Sequence, residues 1–420
     1  MVVSQVVGVG IFLTPATMMR TVGSLPIALA LWALMGLLST AGALCYAELT
    51  TRFPLAGGAY VFLREAFGAR SAFVYGWMAL LVMDPGITAA LGIGLAEYFI
   101  AAIGGRADLV PAIAIASIVF FGALAILGIN ASARVMAWTA VAKLVIVAVL
   151  VGAALVHAGA SGIDVHIQST PTTQAFAASL IAAFFAFGGW WEFGRMAEDV
   201  ESPRRTMPRA LVGGIALVTA MYALASVAYT LAAPRAAPAT DEAFVALIGA
   251  NLFGAAGRTL LAIMVVIAVC GSLAATLLGA PRLYVAMARD GLFPVALARL
   301  DPRRGSVPAS TLVQVVLAAC LVLVGTFNEI LGYFVPCVVF FLGLSAAAIL
   351  KLPRPRAQRD VFETPLHPAP IALFLALITV LLVLFVVGQT RQTLLGAGVV
   401  ALGIPVSFLV MRRRTARMIS

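Results

Sequence analysis

Val6-Val7-Gly8-Val9-Gly10-Ile11-Phe12 lies in the first apolar segment of the chain, with Pro15 shortly after. Phe184-Phe185-Ala186-Phe187-Gly188-Gly189-Trp190-Trp191 lies in the sixth. Each is a glycine-interrupted stretch inside an otherwise apolar span. Glycine costs about 1 kcal/mol in a helix interior, and unpaired backbone in lipid costs several kcal/mol more. Irregular backbone at membrane depth persists where it is enclosed by protein or lines a cavity. Close helix packing through small residues would place them four apart, but Gly8/Gly10 and Gly188/Gly189 are two and one apart.

Composition explains why these segments must be read in lipid. The 420 residues are 63% hydrophobic and 10% charged, with mean hydropathy +1.08. A soluble domain carries about 25% charged residues. The apolar runs are continuous, which excludes the alternation of a transmembrane barrel. Many reach the roughly 20 residues that a spanning helix needs. The chain reads as an all-α integral membrane protein of about twelve helices. They fall at 1–20, 24–50, 70–103, 109–129, 132–157, 174–196, 207–232, 255–287, 308–326, 328–350, 368–388 and 392–411.

The breaks fall in spans 1 and 6, the corresponding first helices of two five-helix halves of opposite orientation. That is the pattern of an inverted repeat. Residues 1–350 then form a core with halves 1–157 and 174–350. Two further spans cover 368–411, and a basic tail covers 412–420. Half-helix N-termini converging near the midplane offer N–H groups to a carboxylate, and the preceding carbonyls suit an ammonium. A zwitterionic α-amino acid presents both charges.

The net charge of +10 follows topology. With a cytoplasmic N-terminus, 21 basic residues lie in inside loops, span ends and tail, against five outside, with Lys143 within a span. Both termini are therefore expected in the cytoplasm, and no nucleic-acid partner is implied. The four cysteines lie within predicted helices, so no disulfide-linked partner subunit is implied either. The bias of Arg over Lys and the abundance of Ala suggest a GC-rich bacterial genome, and a bacterial inner membrane is the expected location.

Several motifs resemble the amino acid–polyamine–organocation superfamily. They are Gly8-Val9-Gly10-Ile11-Phe12 with Pro15, Gly42-Ala43-Leu44-Cys45-Tyr46-Ala47-Glu48-Leu49, and Pro54-Leu55-Ala56-Gly57-Gly58-Ala59-Tyr60. Phe185-Ala186-Phe187-Gly188-Gly189-Trp190, Glu198-Asp199, Pro203-Arg204-Arg205-Thr206-Met207-Pro208-Arg209-Ala210 and Arg289-Asp290-Gly291-Leu292-Phe293-Pro294 fit as well. The chain is most similar to the L-type amino-acid transporter branch. The resemblance implies a LeuT-like fold and sodium-independent amino-acid transport by alternating access, through exchange or proton-coupled symport. It implies substrate carboxylate contacts at Val9 and Gly10, within the stretch Gly8 to Ile11. Amine contacts follow at carbonyls of Val6, Phe185 and Gly188, beside Gly189, with Phe185 as an outer gate. Val9 stands where the family usually has serine, so a hydroxyl contact is lost there.

Ionisable groups within spans cost about 2.5–3.5 kcal/mol at the helix centre, which makes each a functional candidate. Lys143 is expected to tether the fifth span to carbonyls of the broken first helix. By resemblance it occupies the place of a sodium ion in sodium-coupled relatives. Asp84, before Pro85-Gly86, and Glu192 lie near the depth of the breaks, where either could carry a proton or contact a polar substrate side chain. Glu192 could instead pair with Arg195 one turn on. Glu48 and Glu97 read as interfacial. Glu198 and Asp199 with Arg204 and Arg205 are candidates for a cytoplasmic gate.

No catalytic constellation, phosphate loop or metal-ligand spacing is legible, so neither an enzyme nor a cofactor is expected. A polyamine or other organic-amine transporter of the same fold is the nearest alternative. A polytopic membrane enzyme would want clustered acids or histidines at one membrane face. A channel would want a repeated polar ring, and the polar residues here are scattered. Only seven residues precede Gly8, about 10 Å of helix, so the cytoplasmic half of the first helix is expected to be clipped by a start assigned too late.

Overall fold

The computed structural model describes residues 10–12, 14, 18, 22, 24–55, 57–128, 133–161, 172–192, 203–232, 244–353 and 361–419. Its helices are α1 (Leu25–Arg52), α2 (Ala59–Phe67), α3 (Ala69–Met78), α4 (Asp84–Ile103), α5 (Val110–Ile126), α6 (Ala133–Ser161) and α7 (Thr173–Ala186). There follow α8 (Pro203–Ala232), α9 (Phe244–Gly279), α10 (Pro281–Arg289), α11 (Pro308–Val324), α12 (Phe327–Lys351), α13 (Ala369–Gly388) and α14 (Thr390–Ile419). No strand occurs among the described residues. Nine of the described stretches are long and apolar enough to cross a bilayer, and residues 141–157 and α11 are shorter apolar helices. Residues 10–12, 14, 18 and 22 are helical and buried. Each of the twelve expected spans thus contains helix among its described residues, and the chain is a multi-pass membrane protein.

Local sequence marks the helix starts. Proline stands in the first turn of α1, α4, α5, α10, α11 and α13, where its missing N–H costs nothing. At α12, Thr326 and Glu329 close a reciprocal capping box, satisfying two otherwise unpaired amides. Large apolar side chains such as Phe120 (58% exposed) and Leu323 (69%) face outward. In water such faces would drive association; in this chain lipid covers them.

Three helix pairs lie at a constant separation in span order. α1 packs extensively against α8, α4 against α9 and α5 against α11, each a span against the one five places later. Trp32 links the first pair: its indole N–H donates to Ser226 Oγ at 2.8 Å, and its ring stacks on Tyr222 at 4.7 Å. α13 packs on α1 and α7, and α14 on α12 and α3, so the two last spans flank the core.

Three features depart from the expected spans. The helix expected over 70–103 passes through a π turn at Ala79–Met83 before Asp84 and Pro85. Pro85 has no N–H to give to the carbonyl of Leu81 four residues back, and Tyr333 of α12 donates its hydroxyl to that carbonyl instead, at 3.2 Å. The span expected over 255–287 begins earlier, bends at Gly254 (φ 68°) and divides at Pro281 into α9 and α10. The loop after α1 contains α2, entered through the turn at Gly57 and Gly58, whose φ values are 122° and 52°.

Glu48 is buried, which corrects the expectation that it is interfacial. It pairs with Arg52 and accepts from the Thr364 amide at 2.9 Å. Thr51 Oγ1 accepts from the Phe362 amide at 3.0 Å. Residues 361–364 therefore lie along the end of α1.

Candidate functional site: a cavity at two helix breaks

The two interrupted segments touch. A Cβ built on Gly10 would lie 2.7 Å from Ala186 Cα and 3.1 Å from Ala186 Cβ, so no larger residue fits without moving backbone. α7 stops at Ala186 because the next residues turn. The Gly188 amide donates to the Phe185 carbonyl at 2.9 Å, and Gly189 has φ 109°, a value that glycine reaches without steric cost. The Glu192 amide then donates to the Gly189 carbonyl at 3.1 Å, closing a single tight turn.

Hydroxyls anchor the carbonyls of both segments. Tyr222 of α8 donates to the Ala186 carbonyl at 2.6 Å. Tyr229 of α8 donates to that of Ile11 at 3.2 Å, and Tyr98 of α4 to that of Phe12 at 3.1 Å. Thr14 donates to the Gly10 carbonyl at 2.5 Å. All four side chains are buried. The interrupted backbone is thus clamped from α4 and α8. These three tyrosines are absent from the sequence-based site. Their signal is a polar tip deep in an apolar span, since a buried tyrosine hydroxyl needs a partner.

A cavity of about 130 Å³ opens beside the contact. That is roughly ten times the room a single water requires, enough for a small organic solute. Gly10, Phe185, Gly188 and Gly189 line it, together with Asp84, Glu192, Ser272 and Thr276. Phe334 of α12 is also in its wall. The Phe185 ring meets Phe327 and Phe334 edge-on, at centroid distances of 5.8 and 6.0 Å. Trp191 lines the cavity too, stacked on Phe184 at 5.8 Å.

Polar side chains of α4 and α9 in or next to this wall are held by partners on α6, α10 and α11. Asp84, 2% exposed, accepts a hydrogen bond from the hydroxyl of Tyr284 on α10. One turn on, Thr88 donates to the Asp84 carbonyl at 2.7 Å and accepts from Gln314 of α11 at 2.9 Å. Lys143, buried in α6, donates from Nζ to Ser272 Oγ on α9 at 3.0 Å. The expected tether of Lys143 is to carbonyls of the first helix, most of which lies outside the described residues.

Of the other predicted site residues, Ile11 is buried with its carbonyl held by Tyr229. Val6, Gly8, Val9, Glu198 and Asp199 lie outside the described residues, as does Arg195, the alternative partner of Glu192. Arg204 and Arg205 are exposed at the start of α8. An ion pair that joins two short helices is Arg64–Asp290, at 2.6 Å. Tyr60 donates to the same Asp290 oxygen at 2.5 Å. Burial, followed by the Asp290 carboxylate, raises the Tyr60 hydroxyl well above its ordinary range. Burial alone would lower Arg64, but its bonds to Asp290 and Glu65 outweigh that and hold it above its ordinary value. The α2–α10 contact was missed because neither short helix is visible in the run of apolar spans.

Relatives align with this chain over most of its length. The serine/threonine exchanger SteT of Bacillus subtilis is 26% identical over 427 residues, covering 99% of this chain and 96% of its own. The b(0,+)-type amino acid transporter 1 of Mus musculus is 28% identical, covering 92% of this chain and 80% of its own. The human cystine/glutamate transporter is 25% identical, covering 97% and 83%. Residues 1–406 match the amino acid permease family. With that match over nearly its whole length, and with its apolar helical spans, the chain belongs to the amino acid permease family.

Proposed function

We propose that this amino-acid transporter works by alternating access, with the cavity at the two breaks as its substrate site. The observation that carries the reading is the backbone contact of Gly10 with Ala186 at the cavity wall. Main-chain N–H groups of the first segment receive the α-carboxylate, from Val9 and Gly10. Carbonyls at Val6, Phe185 and Gly188 receive the α-ammonium. Such groups are oriented before the ligand arrives, so little ordering cost falls on binding. Phe185 closes over the substrate from the side of Phe327 and Phe334. Residues 1–350 form the transport core and residues 368–411 flank it.

Transport is sodium-independent on this reading, because the Lys143 ammonium supplies the fixed cation that would otherwise be an ion. Exchange is the favoured mode, in keeping with the activity of the Bacillus subtilis relative. Proton symport is the second reading, favoured by the carboxylates of Asp84 and Glu192 in the cavity wall. The distribution of basic residues supports an orientation with both termini in the cytoplasm, and the composition supports a bacterial inner membrane.

The test is uptake of labelled amino acids into proteoliposomes, with and without internal substrate and with and without a proton gradient. Saturable uptake accelerated by internal amino acid supports exchange. Uptake driven by the proton gradient alone supports symport. Absence of saturable uptake for every amino acid would sink the proposal.

A further inference from the structure

We infer that α10 is a two-ended latch, hinged at Pro281, that ties the state of the cavity to the contact with α2. The inference rests on the reading of this cavity as the substrate site and adds a device that transmits its state along the molecule. The hinge follows from the sequence. Thr276, Gly279 and Ala280 line the cavity, and α10 begins at the next residue. The Ala280 amide still donates to the Thr276 carbonyl at 3.0 Å. Pro281 has no amide to give to the Leu277 carbonyl, so the helical ladder is interrupted there. A proline interruption is where a helix bends most readily.

Past the hinge, α10 is a short lever of nine residues, about 14 Å long at 1.5 Å per residue. Gly291 (φ 72°) ends it, with the Leu292 amide donating to the Met287 carbonyl at 2.9 Å, a left-handed turn of the kind that closes helices. The directional contacts sit at its two ends. Near the hinge, the buried Tyr284 hydroxyl donates to Asp84 in the cavity wall. Six residues on, the Asp290 carboxylate accepts from Arg64 at 2.6 Å and from Tyr60 at 2.5 Å, both on α2. Between these ends the lever rests on α3 through apolar groups. Met287 lies against Gly76, and Phe293, just past the turn, meets Phe73 edge-on at 5.8 Å. Such contacts allow small sliding of one packed helix on another. The outer pair is about one-third exposed on both sides, weak enough to open in each cycle. The inner bond is buried where a ligand would change the surroundings of Asp84. A substrate entering the cavity meets Asp84, and Tyr284 passes that change to α10.

The experiment follows amide hydrogen exchange of the full chain in lipid nanodiscs, comparing wild type with Tyr284→Phe. That variant removes one hydroxyl and keeps the ring stacked on Phe293 at 6.1 Å. Exchange in α2 should quicken about threefold or more, although the bond removed lies at the other end of the lever. A change confined to α10 and the residues around Asp84 would overturn the inference. So would exchange raised uniformly along the chain, the signature of general destabilisation. Proteoliposome uptake supplies a second readout, with Tyr284→Phe, Asp290→Asn and the double variant. Either break releases the same latch, so the double variant should lose no more than the worse of the two single variants. Losses that multiply would show independent contacts and overturn the inference. Absence of saturable uptake in wild type would sink the transport reading, and the exchange comparison would then decide the latch alone.

Discussion

Gly10 and Ala186 stand backbone against backbone, with 2.7 Å between the Ala186 Cα and the place a side chain on Gly10 would begin. They are 176 positions apart in the chain, and their contact sets the floor of the cavity. Gly10→Ala should therefore displace one segment from the other. We expect a loss of about 1–3 kcal/mol in stability, as overpacking brings, and at least a tenfold fall in uptake. Thermal unfolding and proteoliposome uptake of the variant check both.

The tyrosine anchors give a second expectation. Tyr222→Phe and Tyr229→Phe leave the carbonyls of Ala186 and Ile11 without those donors. Loss of a partner from a buried polar group costs about 1–3 kcal/mol. Each variant should unfold at lower temperature and transport more slowly. Tyr222→Phe should be the more damaging, since its bond is the shorter.

The π turn can be tested by a cycle. Tyr333→Phe removes the donor that serves the Leu81 carbonyl, at an expected cost of about 1 kcal/mol. Pro85→Ala restores a main-chain N–H four residues on, so the double variant should regain part of the loss. Additive effects of the two substitutions would show that the tyrosine does not replace the missing amide.

Asp290 joins α2 to α10, and its partner Arg64 is 31% exposed. Solvent screening limits such a pair to roughly 0–1 kcal/mol, so Asp290→Asn should barely shift the melting midpoint. If the contact holds one end of the pathway closed, uptake should change well beyond that, and the exchange Arg64→Asp with Asp290→Arg should restore it. Uptake unchanged in Asp290→Asn would remove the contact from the transport cycle.

Lys143 carries the expectation of sodium independence. Replacing sodium by choline in the assay buffer should leave wild-type uptake unchanged. Lys143→Ala should abolish it, because Ser272 in the cavity wall loses its cationic partner.

The sequence made the spans legible because a bilayer demands long apolar runs, and made the two breaks legible because glycine pairs are costly there. The meeting of Gly10 with Ala186 is where the sequence expects two converging segments. Other features depend on distant partners and leave no local mark. Tyr98, Tyr222 and Tyr229 are recognisable only once the carbonyls they serve have been located. Pro85 advertises a missing amide, but nothing nearby in sequence names Tyr333 as its replacement. Glu48 lies near a helix end, and its burial depends on residues 361–364, which arrive more than 300 positions later. α2 and α10 are amphipathic and too short to resemble spans, which hid the contact of Arg64 with Asp290.

The central claim is that the amino-acid backbone of the substrate is held at the junction of the two breaks. A cryo-electron microscopy structure of the full chain with a transported amino acid bound tests this most directly. The account predicts the α-carboxylate within hydrogen-bonding distance of main-chain amides at residues 9–10, and the α-ammonium at the carbonyls of Phe185 and Gly188. An amino acid bound elsewhere, with the cavity beside Gly10 and Ala186 empty, would contradict it.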